Sequence, residues 1–185
     1  MTNLPLARTN AEARLFLRLR PCAQCGARNC AFRSSVVDTD GPAARYRGEC
    51  ESCGAPREYV FRLPDRVLPP PADAVRFGGD ESSELLDPGE WLSYSRICAE
   101  QGGPDTAAGR HAVATAVAAV AEVLKFLPPG ADSVPATAFF APEGLALFAA
   151  EPGSFDRDRL DAVSAHYRAL LARWSAVQNP PFMLP

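Results

Sequence analysis

Four of the six cysteines stand in two short matching runs, Cys22-Ala-Gln-Cys25-Gly and Cys50-Glu-Ser-Cys53-Gly. Each run sets two thiols on one tight turn, and the glycine after the second lets the backbone bend round an ion. Two such turns supply four soft sulfur donors, which suits tetrahedral zinc. Iron held by four cysteines uses the same paired spacing, and disulfides would use the same residues in an oxidising compartment. Residues 1–20 do not read as a signal peptide, because Arg8, Arg14, Arg18 and Arg20 interrupt every apolar run. Zinc is therefore the expected cofactor. Four thiolates leave no position for water on the metal, so its expected role is structural.

The elements around these runs must bring the two turns together across the 24 residues that separate them. Phe32 to Val37 reads as a strand, and Asp38-Thr39-Asp40-Gly41-Pro42 as a turn. Arg45 to Glu49 and Arg57 to Leu63 read as returning strands. Thr9-Asn10-Ala11-Glu12 fits a capping box that opens a short helix. Leu15, Leu17 and Leu19 alternate with Phe16, Arg18 and Arg20, which instead predicts a strand entering the first turn. The two readings compete over residues 13–16. With its doubled, glycine-followed pairs, the segment of roughly residues 14–63 resembles the zinc-ribbon family. That resemblance implies two zinc knuckles on a small antiparallel sheet, with Cys22, Cys25, Cys50 and Cys53 as the ligands. It implies no particular function, since such ribbons serve unrelated proteins.

Four prolines between Pro64 and Pro71 stiffen the exit from this segment and mark a boundary. The chain beyond them reads as helical. Asp87-Pro88-Gly89-Glu90 is a start signal, with Asp at the cap and Pro at the first helical position. This helix runs to about Gln101, with Trp91, Tyr94, Ser95 and Cys98 on one face. The next begins after Asp105 and ends before Pro128. It is apolar nearly all round apart from a stripe of His111, Thr115, Ala118, Glu122 and Lys125, so it belongs at the centre of a core. Phe139-Phe140 and Gly144 to Ala150 read as short helical pieces, and about Asp156 to Val177 as an amphipathic covering helix. The expected fold is α+β: a ribbon over residues 1–63, a Pro/Gly-rich linker over 64–80 and a helical domain over 81–185.

At 185 residues and 47% hydrophobic, the chain can bury one core besides the metal knuckles. No run approaches the ~20 uninterrupted apolar residues of a membrane span, so no membrane partner is expected and the expected location is the cytoplasm. Of 19 basic residues only Lys125 is a lysine, a bias that goes with a GC-rich bacterial genome. Residues 1–63 carry ten arginines against six acids, and residues 64–185 nine basic groups against sixteen acids. Zinc on four thiolates adds a local charge of about −2 and trims the ribbon's excess. A nucleic-acid module normally shows a stronger basic surplus.

The remaining chemistry-bearing residues have plainer readings. Cys30 is a surplus thiol and Cys98 a small core residue. His111 and His166 stand in no ligand or triad motif and read as solvated or hydrogen-bonded. No phosphate loop or serine elbow is present, so catalysis is not expected. Asp80, Glu81, Glu84, Asp87 and Glu90 crowd eleven positions with no basic residue among them. Capping explains Asp87 and Glu90. Asp80, Glu81 and Glu84 could dock a basic protein partner. The ribbon arginines Arg28, Arg33, Arg45, Arg47, Arg57 and Arg62 interleave with Phe32, Tyr46, Tyr59 and Phe61, a composition that can also bind single-stranded nucleic acid. The whole layout is loosely similar to small zinc-ribbon proteins of bacterial toxin–immunity loci. That similarity implies a non-catalytic immunity or antitoxin-like protein that neutralises a partner toxin. The alternative is a nucleic-acid-binding ribbon in transcription or RNA handling.

Overall fold

The structure, a computed structural model, describes residues 4–66, 68, 75–102 and 106–178, the side chains of 175–178 excepted. The linker expected over 64–80 falls partly outside these residues. The fold is α+β, and the chain forms two compact units. The first comprises Met1–Pro70 with Phe77–Gly79 and Ser83–Leu85. The second comprises Pro71–Arg76, Asp80–Ser82 and Leu86–Pro185.

The first unit opens with α1 (Asn10–Leu19), so the helical reading of residues 13–16 holds and the strand reading does not. Thr9 caps it, accepting the Glu12 backbone N–H at 3.1 Å. The Glu12 carboxylate reaches past the cap and accepts the backbone N–H of Arg8 at 2.8 Å. Three antiparallel strands come next, in the order β1 (Arg33–Asp38), β2 (Pro42–Glu49) and β3 (Pro56–Arg62). The β1–β2 turn is bent by Asp40 and Gly41, at φ of 61° and 133°, and the Gly41 N–H closes it on the Asp38 carboxylate at 3.1 Å.

Strand alternation sorts the ribbon's side chains onto two faces. Tyr46 pairs with Tyr59 and Ala44 with Phe61, so the aromatics share one face. Phe16 of α1 covers it, edge-on to Tyr59 at 5.7 Å and to Phe61 at 5.4 Å. Arg33, Arg47 and Glu58 form a cross-strand row on the opposite face. This small aromatic core gives the sheet a hydrophobic cover on one side only.

In the second unit α2 (Pro88–Glu100) and α5 (Arg157–Gln178) both pack against α3 (Ala107–Leu124). By length and composition α3 could cross a bilayer. Its Val113, Ala116, Ala119, Val120 and Val123 are buried in the helical core instead. The stripe expected to be polar is largely internal: Thr115 donates to the His111 carbonyl at 2.8 Å, and Glu122 pairs with Lys125 at 2.6 Å. Leu160 and Ser164 bury the first half of α5, while Tyr167, Leu170, Leu171 and Trp174 are half-buried.

α4 (Pro142–Ala150) lies on α2. A Cβ on Gly89 would stand 2.4 Å from the Gly144 Cα, so the two backbones meet there. Seven residues further along each helix, Arg96 pairs with Glu151 at 2.8 Å. The helices therefore run in the same direction and in step. The buried Asp87 carboxylate joins their starts: it accepts the N–H groups of Glu90 at 2.9 Å, Phe140 at 3.0 Å and Ala141 at 2.8 Å. Those last two bonds hold Phe139-Phe140 extended, where a helical piece was expected. The Phe139 ring stacks on Phe148 at 4.4 Å and meets Phe155 edge-on at 4.8 Å.

Candidate metal centre

The two cysteine turns are built alike. In the first, the Cys22 N–H donates to the Ala27 carbonyl at 2.7 Å and the Gly26 N–H to the Cys22 carbonyl at 2.8 Å. In the second, Cys50 donates to Ala55 at 2.9 Å and Gly54 to Cys50 at 2.8 Å. Gly26 and Gly54 adopt φ of 75° and 72°, the left-handed backbone that closes each turn and that other residues rarely adopt. The second knuckle links β2 to β3, and an isolated antiparallel pairing of Cys30 with Cys50 ties the end of the first knuckle to it.

The four sulfurs lie within 4.8 Å of one another. Cys22 and Cys53 are 3.7 Å apart, and Cys25 and Cys50 3.6 Å. A metal bound to four sulfurs at about 2.3 Å and tetrahedral angles would hold them about 3.8 Å apart, so the donor set fits such an ion. All six cysteines are free thiols. Cys22 and Cys50 are buried against Ala55 and Ala27, while Cys25 and Cys53 face solvent.

Backbone N–H groups of Cys25 and Gln24, aimed at the Cys22 sulfur, hold its pKa down to about 6. Those of Ser52 and Cys53 lower Cys50 in the same way. Cys53 goes the other way: the Ala55 N–H favours its thiolate, but the Cys25 sulfur, burial and the Cys50 and Cys22 sulfurs push it up to about 12. Four sulfurs this close cannot all carry charge unaided. A divalent cation among them removes that conflict.

Sequence inspection placed Arg57 among the interleaved ribbon arginines and did not foresee its burial. It is buried in β3 opposite Gly48, and its Nη2 donates to the Arg20 carbonyl at 2.8 Å and to the Tyr59 hydroxyl at 3.1 Å. Its guanidinium lies 5.1 Å from the centre of the Phe32 ring. The residue thus pins the chain entering the first knuckle to the strand leaving the second. No local pattern in the sequence marks an arginine for burial. Cys30 stands outside the four-sulfur group, and burial pushes its thiol up despite the nearby Arg57.

The other candidates separate. Glu84 is engaged within the first unit, accepting the Leu6 N–H at 2.8 Å and pairing with Arg62 at 3.0 Å. Asp80 and Glu81 are exposed and belong to the second unit. Asp87 and Glu90 form the full reciprocal capping box of α2. Cys98 is buried, and His111 and His166 are exposed. The interleaved arginines and aromatics part company: Tyr46 and Phe61 are buried under α1, whereas Arg33 and Arg47 are exposed on the other face. Glu58 on that face is clasped by Arg47 at 2.6 Å and Arg45 at 3.2 Å, and the Arg47 hydrogen bond holds its carboxyl below the usual range.

Comparison with family models, with curated proteins and with solved structures returns no match.

Proposed function

We propose that the chain is a non-catalytic, zinc-stapled protein-binding module. Zinc is supported by four thiol donors at tetrahedral spacing, a set that also closes the metal to water and so suits a structural ion. One observation carries the binding role: the outward side of α4 bears an apolar stripe, flanked by the exposed Glu143. Pro142, Leu145, Ala146, Ala149 and Ala150 repeat at three-and-four spacing and are all exposed. Phe140 just before them is 52% exposed and Leu145 47%. Solvent-facing apolar stripes of this kind mark contact surfaces. The acidic surplus after residue 63 favours a basic partner, and an immunity-like protein that neutralises a basic toxin is the form this reading takes.

The test is co-purification with identification by mass spectrometry, followed by titration of the purified partner against the wild type and the Phe140→Asp, Leu145→Asp pair. Loss of binding with the helical circular dichroism retained supports the reading, and unchanged affinity removes it. The rival surface is the row of Arg33, Arg45 and Arg47, in which Arg33 and Arg47 are exposed and Arg45 is half-buried. Micromolar or tighter oligonucleotide binding with a steep salt slope, lost on changing Arg45 and Arg47, would put nucleic acid first.

A further inference from the structure

Cys30 pairs with a metal ligand across an antiparallel ladder, and the hydrogen bonds fix what kind of pair it is. The Glu51 N–H donates to the Asn29 carbonyl at 3.1 Å, while the Cys50 N–H turns away to Ala55 at 2.9 Å. Cys30 and Cys50 therefore occupy a position without mutual backbone hydrogen bonds. Directly opposed residues there have Cα atoms about 4.5 Å apart and side chains on the same face. That separation lies inside the window of about 4.4–6.8 Å that a disulfide spans.

The Cys30 sulfur has room to move. A Cβ on Gly48 would stand 2.9 Å from it and 2.5 Å from the Ala31 carbonyl oxygen, so the sulfur rests where the glycine leaves space. Gly48 precedes Cys50 by two positions on the strand, so both present the same side. A change of side-chain rotamer carries the Cys30 sulfur from Gly48 toward Cys50. Cys30 is also partly exposed, within reach of a small oxidant, whereas Cys98 is buried.

We propose that Cys30 is the thiol through which a hydroperoxide reaches the buried Cys50, so that oxidation joins the two and dismantles the metal centre. The inference rests on the zinc reading above. The Cys30 thiol gives up its proton and attacks one peroxide oxygen, the O–O bond breaks, and sulfenic acid and water form. The Cys50 thiolate then attacks the sulfenic sulfur of Cys30, forming the S–S bond and expelling hydroxide. The two sulfurs give up two electrons, and the peroxide takes them. With Cys50 withdrawn, only Cys22, Cys25 and Cys53 remain to hold the ion. Sulfur oxidation and loss of the structural metal become one event.

The experiment treats the reduced full-length chain with hydrogen peroxide and follows zinc release with a chromogenic chelator. Remaining thiols are alkylated and the first disulfide is mapped by peptide mass spectrometry. The expected first disulfide is Cys30–Cys50. Cys30→Ser, checked to bind the same amount of zinc, should release it severalfold more slowly, and Cys98→Ser should match the wild type. A first disulfide confined to Cys22, Cys25, Cys50 and Cys53, or an unchanged release rate in Cys30→Ser, overturns the proposal. Zinc content measured before oxidation separates the two readings. If the reduced protein holds no zinc, the zinc reading fails by itself and the map of the metal-free chain decides the pair: Cys30–Cys50 first supports it, any other first bond overturns it.

Discussion

The Ser83 hydroxyl donates to the Glu12 carboxylate at 2.6 Å, joining residues 71 positions apart. Glu12 is fully buried, and the same carboxylate pairs with Arg8 at 2.6 Å. Gly78 seals the site, since a Cβ there would stand 2.3 Å from the Arg8 guanidinium carbon. This knot is how Phe77–Gly79 and Ser83–Leu85 come to belong to the ribbon unit.

Glu12→Gln should destabilise the ribbon unit by about 3–5 kcal/mol, because it removes the buried carboxylate that pairs with the buried Arg8 guanidinium. Ser83→Ala removes one neutral donor from an anion that keeps others, and should cost about 1–2 kcal/mol. Urea unfolding followed by the tyrosine fluorescence of the sheet measures both. Equal effects would contradict the ranking.

Gly144→Ala should reverse the usual sign. Alanine in a helix normally gains about 1 kcal/mol over glycine. Here a Cβ would fall 2.1 Å from an Asp87 carboxylate oxygen and press α4 off Gly89. A loss of roughly 1–3 kcal/mol is expected from such overpacking. A raised melting temperature for the helical unit would show that the two helices do not touch at Gly89 and Gly144.

Much of this was legible because it is local. Ligand spacing, the glycine after each pair, the Asp87 cap and the alternating strands each depend on a few neighbouring residues. The four-cysteine group and the order of strands and helices could be read from them. The features that could not be read are set at long range. Leu15, Leu17 and Leu19 satisfy a strand period, but the Thr9 cap and the fit of Phe16 onto Tyr59 and Phe61 select a helix. Phe139 and Phe140 look helical until Asp87, more than fifty residues earlier, takes the N–H groups of Phe140 and Ala141. Glu84 looks like part of an acidic run, and only the fold shows that Leu6 and Arg62 hold it.

Acid should weaken the clasp between α2 and α4. The Arg96 hydrogen bond, helped by that of Ser154, holds the Glu151 carboxyl below its usual range. A depressed folded value means the contribution is present above the unfolded carboxylate pKa and is lost as pH falls through the folded one. Arg96→Met should therefore lower stability slightly at pH 7 and not at pH 3. Both side chains are partly exposed, so added salt should shrink the effect. A difference that persists at pH 3 would assign it to lost packing.

Chelation should unfold the knuckles and leave the helical unit standing, because that unit has its own buried core around Trp91, Val120 and Leu160. Far-ultraviolet circular dichroism should retain most of its helical signal after the metal is stripped. Loss of that signal in the same step would make the two units one cooperative structure.

The central claim is that Cys22, Cys25, Cys50 and Cys53 hold a single zinc ion. Elemental analysis of the chain, purified under reducing conditions without added metal, tests it most directly. The expected result is one zinc per chain, with retention lost in Cys22→Ser and Cys50→Ser and kept in Cys30→Ser. Protein that carries no metal, carries chiefly iron, or loses its zinc on substitution of Cys30 would contradict it.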